Sequence, residues 1–327
     1  MRIGVVGTMV WDRIFARDQR REPVEEWGGI SYALSAAQAA AQADWQIVPI
    51  MKVGADLQER AFAFLRTLPQ LQLDQAIQVV PQPNNRVELR YLDRERRCER
   101  LTGGVGPWRW EEIAPALPAL DALYINFISG FELELDTARK LRIGFPGPIY
   151  ADLHSLLLGI DANGMRVPKP LHEWREWLQC FDIVQVNEDE LAILADSWGD
   201  PWRFAAEVVG DELRLLLVTL GSRGAAYVAA PAYTDQPLRW RRPGLHLHKS
   251  LSAPGPTASE LIPAEPADAD GDPTGCGDVW GATFFFRLLA GATLRAAMSE
   301  ANRMAARNVQ HRGASGLHHF LKGQLGT

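Results

Sequence analysis

The residues best suited to chemistry lie in one short stretch, 272–278, which reads Asp-Pro-Thr-Gly-Cys-Gly-Asp and precedes a run of small and apolar residues. Small residues at 275–277 let backbone N–H groups point into one concavity, and a helix that begins there adds N–H donors and partial positive charge. Phosphate is the natural ligand of such a turn. A carboxylate at the helix start, Asp278, can take a proton from an incoming hydroxyl. The stretch indicates a phosphate-binding turn with a proton acceptor beside it, although a helix cap with a tight glycine turn would produce the same pattern.

Two other stretches offer polar groups at the ends of apolar runs. Asn187 follows the run 183–186, and Glu190 comes three residues later. Oxygen ligands of this kind suit hydrated Mg²⁺, while a helix N-cap with acidic residues in its first turn explains the pair equally well. The stretch 218–225 (Val-Thr-Leu-Gly-Ser-Arg-Gly-Ala) is a strand that runs into a turn with two glycines. A plain hairpin would use glycines there as well.

The elements that must position these residues alternate along the chain. Short apolar runs predict buried strands, and longer amphipathic or Ala-rich stretches predict helices between them. This alternation predicts an α/β fold with a central, mostly parallel sheet that helices cover on both faces. The predicted strands are 3–7, 47–51, 123–127, 149–152, 183–186 and 215–219, and the predicted helices include 30–42, 57–68, 171–180 and 188–195.

Two segments break this rhythm. Residues 13–27 are polar and charged, and residues 86–101 alternate apolar and charged side chains, which is typical of half-exposed antiparallel strands. Together they predict a small β lid that projects from the main sheet. A lone hairpin cannot bury its apolar row, so we expect a homodimer that forms through the lid.

Taken together, these motifs resemble the ribokinase-like (PfkB) carbohydrate kinase family. The stretch 272–278 resembles the C-terminal motif of that family, and the other motifs follow in matching order over nearly the whole chain. The resemblance implies one ribokinase-like kinase domain over residues 1–327. It also implies an ATP-dependent phosphotransferase that acts on an alcohol group of a sugar or sugar-like molecule, with Mg²⁺ and a monovalent cation such as K⁺ as cofactors.

The resemblance also assigns roles to single residues. Gly275, Cys276 and Gly277 form the anion hole, and Asp278 is the catalytic base. Asp12, Gly28 and Gly29 bind the acceptor, and Glu190 helps to position the hydrated Mg²⁺. The residues that contact the nucleotide are Asn187, Thr219, Gly221, Ser222, Gly224 and Asn302.

The acceptor itself stays open at this point. Many relatives have Asn where this chain has Ala33, so ribose specificity does not transfer. Arg86 and Arg90 on the lid strand could bind the phosphate of a phosphosugar, and Trp11, Trp27 and Tyr32 could stack on a ring. A nucleoside kinase, a phosphosugar kinase and a catalytically weak ligand-binding relative are the alternatives. Asp152 and His154 end a strand near the expected cleft and have no assigned role.

Composition narrows the class of protein further. The 327 residues carry a net charge of −6 without a basic block, which argues against a nucleic-acid partner. No apolar run approaches the roughly 20 residues that span a bilayer. The three cysteines form no metal-binding or disulfide pattern, so we expect a cytoplasmic protein with a small-molecule substrate. A dinucleotide-binding dehydrogenase is excluded because no GxGxxG pattern follows the first strand.

Overall fold

Strands and helices alternate along the chain, and their bounds lie close to those predicted. The structure, a computed structural model, describes residues 1–15, 22–91, 97–210, 212–240, 255–266 and 271–324. The strands are β1 (Arg2–Val6), β2 (Met9–Phe15), β3 (Val24–Gly29), β4 (Gln46–Gly54), β5 (Ile77–Val80), β6 (Arg86–Tyr91), β7 (Arg97–Thr102), β8 (Ala122–Asn126), β9 (Ile149–Asp152), β10 (Leu158–Ile160), β11 (Arg166–Pro168), β12 (Ile183–Asn187), β13 (Leu215–Thr219), β14 (Ala225–Ala229) and β15 (Ala258–Ile262). The helices are α1 (Ile30–Ala40), α2 (Gln58–Leu65), α3 (Trp110–Ile113), α4 (Leu135–Gly144), α5 (Trp174–Gln179), α6 (Glu188–Leu194), α7 (Pro201–Val208), α8 (Cys276–Leu289), α9 (Leu294–Asn308) and α10 (Leu317–Leu321).

The main sheet has nine strands in the order β15-β14-β13-β12-β9-β8-β1-β4-β5. The parallel part of the sheet consists of β13, β12, β9, β8, β1, β4 and β5. At one edge β14 pairs antiparallel with β13, and β15 pairs antiparallel with β14. The predicted α/β fold with a mostly parallel sheet is therefore confirmed. Because the carboxyl ends of β8, β9, β12 and β13 meet at one edge of the sheet, residues far apart in sequence come together there.

Hydrophobic cores lie on both faces of this sheet. On β13 the side chains of Leu215 and Leu217 join one core, and those of Leu216 and Val218 join the other. A strand that is buried on both faces is apolar at every position, which explains the unbroken apolar runs in the sequence. Helices α1, α2, α8, α9 and α10 cover one face, and α3 through α7 contribute to the core on the other face. No helix in the described part of the chain is both long and apolar enough to cross a membrane.

A separate four-stranded sheet, in the order β3-β2-β6-β7, forms the lid. It uses parts of both predicted segments, although β2 begins at Met9 rather than at residue 13. Asp12 is therefore a residue of the lid sheet itself. Residues 16–21 and 92–96 of the predicted segments lie outside the described residues.

The apolar row of the lid is already buried within the chain. Ile14, Leu89 and Leu101 are each less than one-tenth exposed. The hairpin β10–β11 of the main body meets the outer lid strand, where Leu101 N donates to Gly164 O at 3.0 Å. This part of the apolar row is therefore covered within the chain, and the homodimer stays a prediction.

Candidate active site

The turn before α8 has the geometry that the sequence predicts for an anion site. Gly275 adopts a left-handed conformation (φ 75°, ψ 3°), and the 14-residue helix α8 follows it directly. A Cβ at Gly275 would overlap the ring of Tyr32, so only glycine fits beneath that ring. The N–H of Cys276 already donates to Pro273 O at 3.1 Å. Gly277 is therefore the stronger candidate for an anion-binding N–H, and the role of residue 276 stays a prediction.

The thiol of Cys276 is in an environment that makes it unreactive. Burial raises the pKa of Cys276 to about 11, and the carboxylates of Asp272 and Asp278 add to the rise. Its sulfur lies 3.4 Å from Asn308 Nδ2. A thiol in this state is protonated at neutral pH and is a poor nucleophile, so residue 276 acts as a small residue of the turn.

Two side-chain amides of the main sheet contact the turn before α8, and the sequence did not single them out. Asn126, the last residue of β8, donates from Nδ2 to Asp278 Oδ1 at 2.6 Å. Gln185 of β12 donates from Nε2 to Gly277 O at 3.2 Å and to Asp152 Oδ2 at 2.7 Å. Each side chain lies near the carboxyl end of a parallel strand. Their proximity to residue 278 depends on the order of the strands, which no local pattern reveals.

Asp152 and His154, which had no assigned role, lie beside this network. Burial, together with the nearby carboxylates of Glu190 and Asp278, raises the pKa of Asp152 to about 8. His154 Nδ1 lies 2.6 Å from Glu190 Oε1. Burial lowers the pKa of His154, but 42% of its side chain is exposed, so the attraction to Glu190 dominates and the pKa rises to about 9. The pair therefore places a positive charge next to a carboxylate at the edge of the site.

Asn187 and Glu190 form a capping box at the start of α6. Asn187 Oδ1 accepts from Glu190 N at 2.9 Å, while Glu190 Oε2 accepts from Asn187 N at 2.8 Å and Oε1 accepts from Asn187 Nδ2 at 2.7 Å. Both carboxylate oxygens of Glu190 thus have protein donors. No cluster of three or more His, Cys, Asp or Glu side chains suited to a metal exists among the described residues. This donor set fits Mg²⁺ that keeps its water molecules, and it does not fit a metal ion caged by the protein.

The glycine turn after β13 lies next to this pair. Thr219 at the end of β13 is in register with Asn187 on β12. Gly221 (φ 59°) and Gly224 (φ 103°) adopt conformations that favour glycine, and residues 221–223 are exposed. The structure therefore brings Thr219, Gly221, Ser222 and Gly224 to the same side of the site as Asn187.

The side chain of Asn302, which we predicted to contact the nucleotide, is hydrogen-bonded within the protein. Its Oδ1 accepts from Trp280 Nε1 at 2.7 Å, and its Nδ2 donates to Ile262 O and Pro263 O at 3.0 and 2.9 Å. The side chain is 5% exposed. Instead of presenting its amide to a nucleotide, Asn302 ties α9 to α8 and to the end of β15.

The lid brings the predicted acceptor residues over the anion turn. Asp12 is 6% exposed, and its carboxylate lies where a Cβ of Gly28 would be. Tyr32 shows how close the groups are: burial raises its pKa well above the usual value, and the carboxylates of Glu26, Asp12, Asp272 and Asp278 raise it further. Tyr32 thus lies between the lid and residue 278.

Arg86, Arg90, Trp11 and Trp27 of the lid lie on the face opposite that of Asp12. Trp11 is in register with Arg86 and Trp27, whereas Asp12 is in register with Val87. Arg86 pairs with Asp56, and the guanidinium of Arg90 stacks 3.9 Å above the ring of Phe15. Successive residues of a strand point to opposite faces, so these side chains do not share a face with Asp12. Of the three predicted stacking aromatics, only Tyr32 lies at the site.

Comparisons with known proteins agree with this geometry. Residues 160–319 match the model of the pfkB family carbohydrate kinases. A ribokinase from Thermotoga maritima has a similar structure at 17% identity, with a TM-score of 0.70 and 98% of each chain covered. A pyrophosphate-dependent kinase of the ribokinase family gives 17% identity and a TM-score of 0.72, with 98% of this chain and 99% of that one covered.

A nucleoside kinase from Burkholderia thailandensis, in complex with inosine, gives 16% identity and a TM-score of 0.66, with 97% of this chain and 94% of that one covered. No curated protein matches the sequence. At these identities the structures establish the fold, and the family model covers the part of the chain that carries the anion turn. The resemblance inferred from the sequence is confirmed: residues 160–319 match the model of the PfkB carbohydrate kinases, and the chain has the ribokinase fold.

Proposed function

We propose that this chain is an ATP-dependent kinase that transfers the γ-phosphoryl group to a hydroxyl of a sugar or sugar-like small molecule. The observation that carries the proposal is the Asp278 carboxylate, which lies in the first turn of α8, behind the left-handed Gly275. A helix N-terminus that is open to phosphate, with a carboxylate beside it, combines an anion site and a proton acceptor within one turn.

The reaction we propose is an in-line displacement. The acceptor hydroxyl gives its proton to Asp278 while its oxygen attacks the γ-phosphorus; the bond from that phosphorus to the bridging oxygen breaks, and ADP leaves. N–H groups at the start of α8, chiefly that of Gly277, stabilise the charge on the transferring group. Mg²⁺, when bound, neutralises the phosphates. Asn187 and Glu190 would hold its water molecules, and the 219–224 turn would hold the nucleotide.

The acceptor would lie between the lid and the anion turn. Asp12 offers two oxygens to adjacent hydroxyls, and Gly28 and Gly29 leave room beside it. Arg86 and Arg90 lie on the other face of the lid, so a phosphosugar is the less favoured acceptor. A ligand-binding relative without turnover is also less favoured, because such a protein has no need of a carboxylate held at the anion turn.

We also propose a monovalent cation near the lid. The atom Oε1 of Glu26 is buried and has no hydrogen-bond partner among the described residues. Burial raises the pKa of this carboxyl, Asp272 raises it further, and Arg312 lowers it. Its other oxygen touches the backbone at Gly313. Buried oxygens of this kind fit a monovalent cation. If one binds, replacement of K⁺ by choline should lower the rate, and an unchanged rate would contradict the proposal.

Two further parts of the proposal concern the protein in the cell. The three cysteines are all free thiols, which supports a reducing, cytoplasmic environment. A homodimer through the lid remains a proposal, and light scattering at micromolar concentration tests it.

The decisive experiment is a product-release screen. Ribose, inosine, myo-inositol and a sugar phosphate are offered with ATP, and with pyrophosphate in parallel because a similar structure uses that donor. In the Asp278→Asn variant we expect the rate to fall by about 10²–10⁴ while ATP binding persists, since one positioned base contributes that much. Turnover within a few-fold of wild type would contradict the role of Asp278, and turnover with pyrophosphate alone would contradict ATP as donor.

A further inference from the structure

Asn126 is a residue of the main sheet that contacts the proposed base. It ends β8, is fully buried, and donates from Nδ2 to Asp278 Oδ1 at 2.6 Å, across 152 positions of sequence. Two strands away, Gln185 Nε2 donates to Gly277 O at 3.2 Å. Two amides of the sheet therefore hold consecutive residues of the anion turn.

Packing alone does not explain an amide at this position. Asn126 Oδ1 is buried and has no hydrogen-bond partner within the described parts of the chain. A buried, unsatisfied oxygen destabilises a fold, whereas leucine of similar volume would fill the end of a buried strand without that penalty. What the amide adds is its N–H on Asp278.

A contact of this kind matters for a general base. A carboxylate at the start of a helix can rotate about its side-chain bonds, and a small error in its orientation lowers the rate of proton transfer. The N–H of Asn126 fixes Oδ1 and with it the plane of the carboxylate. This holds before any acceptor binds, because the donor comes from the rigid sheet.

We propose that Asn126 is a positioning residue, which holds the Asp278 carboxylate in the orientation that accepts the proton of the acceptor hydroxyl. The proposal rests on the kinase function proposed above. It predicts that loss of the amide lowers kcat and leaves the KM of the donor unchanged, because Asn126 touches the base and is not among the residues assigned to the donor.

The test is a double-mutant cycle with Asn126→Leu and Asp278→Asn, assayed on whichever of ribose, inosine and myo-inositol the wild-type protein phosphorylates. We expect Asn126→Leu to lower kcat by about 10–100-fold with the KM of ATP within about twofold. In the Asp278→Asn background the same change should lower kcat no further, because no base remains to be positioned. A merely structural residue would give similar losses in both backgrounds, and that result would overturn the proposal.

Two controls separate the possible failures. Thr283→Val, on α8, removes another buried polar atom that has no hydrogen-bond partner in the described part of the chain, and it should leave kcat unchanged. If Asn126→Leu does not fold, Asn126→Ser carries the same cycle with a smaller side chain. Near-normal activity of Asp278→Asn would contradict the kinase mechanism itself, whereas an inactive Asp278→Asn beside a fully active Asn126→Leu would contradict only the role of Asn126.

Discussion

At the scale of single residues, Tyr32 links the two carboxylates that share the proposed reaction. Its ring covers Gly275 at the anion turn, and the charges of Asp12 and Asp278 both act on its hydroxyl. The proposed acceptor-binding residue of the lid and the proposed base on α8 therefore both lie near Tyr32. A hydroxyl held by the first would lie near the second, as in-line transfer requires.

The role of Asp12 can be tested separately from that of the base. We expect Asp12→Ala to raise the KM of the acceptor more than tenfold, because a buried, charge-assisted hydrogen bond contributes on the order of 2–3 kcal/mol. The KM of ATP should stay nearly constant. Asp56→Ala, which removes an exposed carboxylate paired with Arg86, is the control and should change neither value. If Asp12→Ala leaves the acceptor KM unaltered, the acceptor binds elsewhere.

The buried carboxyl of Asp152 predicts a dependence of stability on pH. Its pKa is raised from 3.8 to about 8, so the folded state binds a proton that the unfolded state releases between these values. Its contribution to stability is therefore greatest at low pH and is lost as the pH rises to about 8.

Asp152→Asn removes this dependence. We compare the difference in Tm, variant minus wild type, at two pH values. We expect this difference to be more positive at pH 8.5 than at pH 5, by on the order of 2–4 °C. Thermal unfolding at both pH values measures the change. A difference in Tm that stays constant with pH would show that Asp152 is ionised in the folded protein.

At the scale of elements, α8 performs two tasks. Its first turn offers the anion site, and its body packs against the sheet. Gly281 makes that packing close, because a Cβ there would lie 2.7 Å from Tyr150 Oη and 2.8 Å from Tyr124 Oη. Asn126 and Gln185 hold the first turn from the strand ends. The position of the base is therefore set by the sheet as well as by the helix.

The glycine before α8 is the most sensitive point of this element. Gly275→Ala should destabilise the fold by more than the roughly 1–2 kcal/mol of a left-handed alanine, because the added methyl group also meets Tyr32. We expect the rate to fall more than tenfold as well, since the anion turn must shift.

Gly291→Ala is the matched control for this glycine. Gly291 also has a positive φ, of 90°, but no atom of the described residues lies within 4 Å of its Cβ position. Urea unfolding and steady-state kinetics of both variants separate backbone strain from the contact with Tyr32. Equal losses in the two variants would show that the contact is unimportant.

At the scale of the whole molecule, the lid and the C-terminal helices close the site from two sides. Glu26 of the lid touches the turn at Gly313, and α10 packs against α1. This C-terminal region contains His318, which is 4% exposed and whose ring nitrogens have no hydrogen-bond partner among the residues that the structure describes. Burial lowers its pKa to about 4, with smaller effects of His319 and Lys322.

His318 predicts a loss of stability in acid. Since the folded pKa lies below the usual value of 6.5, the unfolded state binds the proton more tightly, and stability falls as the pH drops from about 6.5 to 4. His318→Leu should reduce the decrease in Tm between pH 7 and pH 5. The exposed His172→Gln is the control and should leave that decrease as in wild type. An equal decrease in wild type and in His318→Leu would contradict this assignment.

The sequence by itself determined the α/β class, the approximate bounds of most strands, and the turn that carries Asp278. These are local features. A glycine-rich turn before a helix and an apolar run that forms a buried strand are visible within a window of a few residues. The lid was predicted for the same reason, because the alternation in 86–101 is a property of consecutive residues.

Only the tertiary structure decided which side chains meet. Asn126 reaches Asp278 because β8 is close to α8 in the assembled sheet, and Asn302 turns inward because α8, α9 and β15 pack around it. Arg86 and Arg90 lie on the face opposite Asp12 because the register of β2 against β6 places them there. Strand order, register and helix packing arise from contacts between residues far apart in the chain. No local pattern contains that information, so the sequence pointed to the proposed base but not to the side chain that contacts it.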